Sequence, residues 1–272
     1  MIDNIIKQAL KEDIGKGDIT TKLTVSPKLI ATAQIIAKEI GILAGSDVVN
    51  KVFQALDPKV KVTFFIKEGK SFKKGSVLAL VSGKTQLLHI GERTALNFLC
   101  RLSGIATLTR KFVDKVAGTK VKILDTRKTT PNLRILEKYA VKIGGGQNHR
   151  FGLYDMILIK DNHIKTAGGI TNAVIRAQKG NKSKLPIEVE TKNLTEVKEA
   201  LQLKVPMIML DNMNLRQIRK AVKLAKSKAK LEVSGGVTLR NVRKFAETGV
   251  DFISIGALTH SAPIVDISMK IK

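Results

Sequence analysis

Tryptophan is absent from this 272-residue chain, and tyrosine occurs only twice. Proteins that grip single-stranded nucleic acid stack its bases on such rings, so that mode of binding has little to build on. Cysteine occurs once, at Cys100. A lone thiol excludes an intrachain disulfide and a cysteine-rich metal site, and it fits a reducing cytoplasm. No apolar run approaches the ~20 residues of a membrane-spanning helix. The opening residues, MIDNIIKQALKED, lack the continuous apolar core of a signal peptide. Acidic residues are scarce: 23 Asp and Glu face 48 Lys and Arg, for a formal net charge of +25. That balance suits either phosphate neutralisation on nucleic acid or a lysine-rich solubilising surface. The lysines are scattered, and their densest cluster, KSKAK at 226–230, is short. The second reading is therefore favoured, with small anionic substrates also attracted.

What is present is a globular chain, 43% hydrophobic, long enough for one large domain or two smaller ones. Ile2, Ile5, Ile6, Ala9 and Leu10 fall at helical spacing and predict an opening amphipathic helix. ATAQIIAKEIGILAG, VKVTFFI and SVLALVS read as strands. SDVVNKVFQAL reads as a helix capped by Ser46 or Asp47. From Thr85 to about Val116 the pattern is helical, with interruptions at Gly91 and Gly104. From residue 121 short apolar runs (VKILDT, MILIK, IEVE, MIML, LEVS, FISIG) alternate with helical segments at 132–143, 169–179, 194–201, 214–226 and 238–247. Such alternation means βαβ units and a parallel sheet, closed into a barrel or open and doubly wound. The boundaries predicted are 1–116 for an N-terminal α+β domain with a helical connector and 117–272 for the α/β domain. The C-terminal tail is a candidate to pack back on the first.

The chemistry lies one step past the predicted strands, where the loops of a parallel barrel converge. A cationic group comprises Arg127, Lys128, His149, Arg150 and Lys160. An anionic pair, Glu190 and Asp211, suits a metal, sugar hydroxyls or acid/base work, with structural ion pairs to lysines as the plain alternative. A glycine-rich group, Ser234, Gly235, Gly236, Gly256 and Ala257, suits a phosphate cradle. Cations cannot be gathered away from water without a counter-anion, because each costs several kcal/mol to desolvate. The two arginines suit bidentate recognition of carboxylates. His149 and His163 lack the His-x-x-x-His spacing of a zinc helix.

Taken in order, EDIGKGDIT, GERTALNFL, LSGIAT, DTRKTTP, EKYAVKIGGGQNHR, LIKDNH, EVE, LDN, SGG and GALTHS resemble the quinolinate phosphoribosyltransferase family nearly end to end. Asn132 departs from the pattern, standing on a turn where the family often has Gly. The resemblance implies an incomplete parallel α/β barrel with an N-terminal α+β sandwich-like domain, assembled as a homodimer or a higher oligomer. It implies transfer of a phosphoribosyl group from phosphoribosyl pyrophosphate to quinolinate, with Mg²⁺ as cofactor. The products are nicotinate mononucleotide, pyrophosphate and CO₂. Arg127, Lys128, His149, Arg150 and Lys160 would then line the quinolinate pocket, and Arg93 of GERT would reach into the partner's site. Glu190 and Asp211 would face the ribose hydroxyls and the metal, directly or through water. Ser234, Gly235, Gly236, Gly256 and Ala257 would hold the ribose phosphate. Lys128, Lys160, Glu190 and Asp211 would act in catalysis. No nucleic acid or membrane is expected as a partner. The alternatives are a molybdenum-transport-associated paralogue, a nicotinate-using transferase and, from another class, a basic nucleic-acid-binding protein.

Overall fold

The computed structural model describes all residues, 1–272. The chain begins with α1 (Ile2–Ile14), α2 (Ile19–Thr24), β1 (Ile30–Ala37), β2 (Gly41–Ile42), α3 (Ser46–Leu56), β3 (Lys61–Phe64), β4 (Ser71–Phe72), β5 (Val77–Lys84) and α4 (Thr85–Lys115). It continues with β6 (Lys122–Leu124), α5 (Arg134–Ile143), β7 (Ile157–Ile159), α6 (Asp161–Ala167), α7 (Ile170–Gly180), β8 (Ile187–Thr191), α8 (Leu194–Gln202) and β9 (Met207–Asp211). Last come α9 (Leu215–Ala225), β10 (Lys230–Ser234), α10 (Val242–Ala246), β11 (Phe252–Ser254), α11 (Ala257–His260) and β12 (Ile267–Ile271). Two compact units emerge. The first comprises Met1–Arg110, Thr129–Gly145 and Leu258–Lys272, the second Lys111–Lys128 and Gly146–Ala257.

The first unit is built on an antiparallel sheet in the order β12-β1-β5-β3, with the small β2-β4 pair beside it. The chain's last strand thus pairs with its first. Ile6 and Leu10 form the buried stripe of α1, which packs on α3. The cap predicted for α3 is corrected: its N-cap is Gly45, at φ 104, and neither Ser46 nor Asp47 caps it. Glu68 does the work from a distant loop. Its carboxylate accepts the Gly45 N–H at 2.6 Å, the Ser46 N–H at 3.1 Å and the Ser46 hydroxyl. A negative charge at a helix start is favoured by the unpaired N–H groups there.

The interruptions expected at Gly91 and Gly104 do not occur; α4 runs unbroken for 31 residues. These glycines mark close approaches instead. A Cβ on Gly91 would sit 2.6 Å from the Phe53 ring. One on Gly104 would collide with the Pro263 carbonyl oxygen and come within 3.0 Å of Ile264 Cα. Backbone cannot swing aside as a side chain can. Gly104→Ala is therefore expected to destabilise the chain by about 3 kcal/mol, the upper end of overpacking costs. Urea denaturation measures this, and a variant within about 0.5 kcal/mol of wild type, the range of an ordinary surface change, contradicts the packing described. Cys100 is buried on the same helix, and burial pushes its thiol pKa up, so it stays protonated and inert.

The second unit holds six parallel strands in the order β6-β11-β10-β9-β8-β7. From β7 to β11 each strand neighbours its successor, without the reversal of a doubly wound sheet. β6 and β7 are left as the two edges, which makes the sheet an incomplete parallel barrel. Because every strand runs the same way, all the carboxyl ends open on one side. Strand register also sorts the faces: Glu188 lies opposite Met207, Glu190 and Glu232 lie opposite Met209, and Ser234 lies opposite Asp211. Register partners share a face, and alternate residues along a strand return to it. Glu188, Glu190, Asp211, Glu232 and Ser234 therefore share one face of the sheet.

Candidate active site

The second unit carries every predicted site residue except Arg93, which is exposed on α4 of the first. Arg127 and Lys128 follow β6, and Thr126 Oγ1 accepts the Lys128 N–H at 3.1 Å. Lys160 follows β7 and is exposed at the N-cap of α6, its N–H donating to His163 Nδ1 at 3.0 Å. His163 thus caps a helix; metal ligation is not needed to explain it. That helix, α6, was absent from the sequence expectation, which ended the element at its strand. Asp161, its first residue, pairs with Lys192 at 3.2 Å. The backbone N–H of Asn162 and then Lys192 hold the Asp161 carboxyl below its ordinary pKa.

Glu190 and Asp211 lie half-buried at the carboxyl ends of β8 and β9. Burial, then the neighbouring Asp211 charge, raises the Glu190 pKa, while Lys160 opposes the rise. Asp211 accepts from Asn212 Nδ2 at 2.9 Å, and the Asn212 N–H donates to the Ser234 carbonyl at 2.9 Å. Gly235, at φ 92, is required here because a Cβ would fall on the Asn212 side chain. The two loops LDN and SGG are interlocked in this way. Gly256 and Ala257 follow β11 on the same side of the sheet.

Arg150 is half-buried. Burial, and then the Arg127 guanidinium, lower its pKa. Its Nη1 donates to the Met156 carbonyl at 3.4 Å. The segment that carries it is anchored by acids: Asp125, fully buried, accepts the His149 N–H at 2.9 Å. Asp155 accepts the Phe151 N–H at 2.6 Å and the Gly152 N–H at 2.9 Å.

Under this segment lies a cluster that the sequence analysis did not single out. His149 Nε2 is 3.1 Å from Glu188 Oε2 and 3.4 Å from Glu232 Oε2, and both glutamates are fully buried. The Arg150 N–H donates to His149 Nδ1 at 2.7 Å. The missed signal was periodicity: in IEVE, two residues before Glu190 on a buried strand, Glu188 must share its face. His149, Glu188 and Glu232 have the composition of a metal site, with ligand atoms within 4.8 Å of one another. The Arg150 N–H argues against one. It requires a lone pair on Nδ1, so the neutral ring carries its proton on Nε2, the atom a metal would need.

Burial works to lower the His149 pKa, but hydrogen bonds and charge from Glu188 and Glu232 outweigh it and push it up to about 9. Burial, then the Glu232 charge, raises Glu188 to about 7. The Arg150 N–H favours keeping the cluster's extra proton on the carboxylates rather than on Nδ1. Shared between His149 and Glu188, that proton is held more tightly than in the unfolded chain, where Glu titrates near 4.3 and His near 6.5. Groups with raised folded pKa values stabilise fully below the unfolded pKa and lose that contribution as pH rises through the folded one. The melting temperature is accordingly expected to fall as pH rises through about 7 to about 9. The Glu188→Gln/Glu232→Gln double variant should lose most of that slope. A wild-type profile flat across this window contradicts the assignment.

Against this geometry, two family descriptions match: quinolinate phosphoribosyl transferase, N-terminal domain, over residues 18–103, and its C-terminal domain over 105–270. The chain is 45% identical to a probable nicotinate-nucleotide pyrophosphorylase [carboxylating] of Synechocystis sp., covering 100% of this chain and 92% of the relative. It is 44% identical to the chloroplastic nicotinate-nucleotide pyrophosphorylase [carboxylating] of Arabidopsis thaliana, covering 98% and 82%. Among solved structures, NadC from Streptococcus pyogenes superposes with a TM-score of 0.96 at 40% identity, over 100% of this chain and 96% of that one. The nicotinate-nucleotide pyrophosphorylase of Ehrlichia chaffeensis gives 0.95 at 46% identity, over 99% and 98%. With both halves of the pattern matched and relatives aligned over nearly their whole length, the chain belongs to the quinolinate phosphoribosyltransferase family.

Proposed function

We infer that this chain is a carboxylating nicotinate-nucleotide pyrophosphorylase, which joins quinolinate to phosphoribosyl pyrophosphate in NAD biosynthesis. The observation that carries the site assignment is geometric: Arg127, Lys128, Lys160, Glu190 and Asp211 stand at or just past the carboxyl ends of strands in one parallel sheet. Arg150 is half-buried, with the Arg127 charge working against its own, and a ligand with adjacent carboxylates relieves that repulsion. Arg127, Lys128, His149, Arg150 and Lys160 form the quinolinate pocket. Ser234, Gly235, Gly236, Gly256 and Ala257 hold the ribose phosphate, and Glu190 and Asp211 face the ribose hydroxyls.

The pyridine nitrogen attacks the anomeric carbon with its lone pair as the bond to pyrophosphate breaks. Positive charge on the ribose is stabilised by Glu190 and Asp211, and negative charge on the leaving group by Lys128 and Lys160. The ribosylated nitrogen is then an electron sink. The bond from the ring to the adjacent carboxylate breaks, CO₂ leaves, and the ring carbon takes a proton. Positioning and electrostatics account for the chain's contribution. Glu190 and Asp211 fit a hard divalent cation, since both offer oxygen ligands and Asp211 raises the Glu190 pKa through repulsion that a cation would relieve. When bound there, Mg²⁺ supplies charge neutralisation to the departing pyrophosphate.

The enzyme acts as a homodimer in the cytoplasm, with Arg93 completing the partner's site. Ile19, Leu23, Leu29 and Ile30 are exposed apolar residues of the first unit, the kind of surface that an interface covers. No helix is long and apolar enough to cross a membrane. Family membership disfavours the nucleic-acid alternative. The relatives' names, together with the dicarboxylate-suited cations, disfavour the paralogue and the nicotinate-using transferase. The test is direct: with quinolinate, phosphoribosyl pyrophosphate and Mg²⁺, nicotinate mononucleotide and CO₂ form in equal amounts, and nicotinate does not replace quinolinate. Product formed from nicotinate without CO₂ overturns the assignment.

A further inference from the structure

Barrel interiors are ordinarily filled by branched apolar side chains, yet Glu188 on β8 and Glu232 on β10 are fully buried. A carboxylate taken out of water costs several kcal/mol unless it is paired, so a chain that keeps two of them has a use for them. Both face one atom, His149 Nε2. Across the ring, Nδ1 accepts the Arg150 N–H at 2.7 Å. The Glu188 carboxylate as acceptor at Nε2, with the Glu232 carboxylate 3.4 Å away, selects the tautomer with its proton there, and only that tautomer leaves a lone pair on Nδ1 for Arg150. With the proton on Nδ1, two N–H groups would point at each other and the Arg150 peptide would shift. Asp125 holds the same segment through the His149 N–H at 2.9 Å. Glu188 also reaches the Arg150 guanidinium electrostatically and favours its charged form.

We propose that Glu188 and Glu232 are positioning residues for quinolinate: through the His149 ring they fix the backbone of Arg150 and so aim its guanidinium at the substrate. This rests on the pocket assignment made above. His149 then acts through Arg150, with both of its ring nitrogens engaged inside the protein.

Steady-state kinetics with each substrate varied in turn test this. Glu188→Gln and Glu232→Gln should each raise KM for quinolinate by about tenfold, the scale of one misplaced hydrogen bond to a charged group. KM for phosphoribosyl pyrophosphate should stay within about twofold, because a substrate-specific effect is expected where a general loss of structure would move both constants. Since the acids act through the ring, their effects should not add to that of His149→Gln. Should a glutamine variant fail to fold, position 149 reads the same linkage. His149→Asn keeps an acceptor near the Nδ1 position and should therefore bind quinolinate about tenfold more tightly than His149→Gln, which loses that acceptor and its hydrogen bond. Parallel rises in both KM values, additive effects, or a glutamine at 149 that outperforms asparagine would overturn the proposal. Arg150→Ala separates it from its premise. If that variant leaves quinolinate KM unchanged, the pocket assignment fails. If it raises KM while Glu188→Gln and Glu232→Gln are silent, only the positioning role fails.

Discussion

Arg150→Ala and Arg127→Ala each abolish turnover on quinolinate while leaving the fold intact. Each arginine can donate two charge-assisted hydrogen bonds to a carboxylate. At ~1.5–3 kcal/mol per bond, losing both costs about 3–6 kcal/mol, or a ~10²–10⁴-fold fall in kcat/KM. The fold should stay intact, because both arginines lie half-buried in loops past the strands and not in the core. The melting temperature should therefore stay close to that of wild type. Kinetics with purified variants, alongside thermal denaturation, check both halves. Near-normal turnover contradicts the pocket, and a collapsed melting temperature contradicts the claim that these cations serve the ligand rather than the fold.

Mixing defective subunits produces the second large effect. In the proposed homodimer, Arg93→Ala subunits alone and Lys160→Ala subunits alone are each expected to be nearly inactive. In a heterodimer of the two, one site receives an intact Lys160 from its own subunit and an intact Arg93 from the partner, and the other site receives neither. Verified heterodimers should then recover about half of wild-type activity, the one-good-site value for a two-fold assembly. If Arg93 served its own subunit, every site would carry one defect and nothing would be regained. Exposure of Arg93 on α4 is compatible with a reach outward. Co-expression with two affinity tags isolates the mixed species for the assay.

The strands after residue 121 were legible because buried parallel strands are short apolar runs. Arg127, Lys160, Glu190, Asp211 and Ser234 do stand at or just past the carboxyl ends of those strands, where the proposed site lies. Periodicity places Glu188 on the Glu190 face, but the role of Glu188 and Glu232 was not legible, since a carboxylate in an apolar run has meaning only once its partner across the barrel is known. That partner, His149, lies 39 residues from Glu188 along the chain. The α3 cap was misplaced for a related reason: local preference pointed to Ser46 or Asp47, but Glu68 supplies the acceptor from 22 residues away. Gly91 and Gly104 looked like helix breaks because glycine costs about 1 kcal/mol in a helix. Their reason is tertiary, a neighbour too close for any Cβ. Asn132, which stands where a glycine was expected, adopts φ 63, a left-handed conformation that Asn tolerates better than most residues.

The central claim is that loops far apart in sequence present their cations to one dicarboxylate at the open end of the barrel. A crystal structure of the chain with quinolinate bound measures this most directly. The two carboxylates should lie against the guanidiniums of Arg127 and Arg150, with the Lys160 ammonium beside the ring and Glu190 and Asp211 on the ribose side. Quinolinate bound elsewhere, or seated with its carboxylates against neither arginine, would contradict the account.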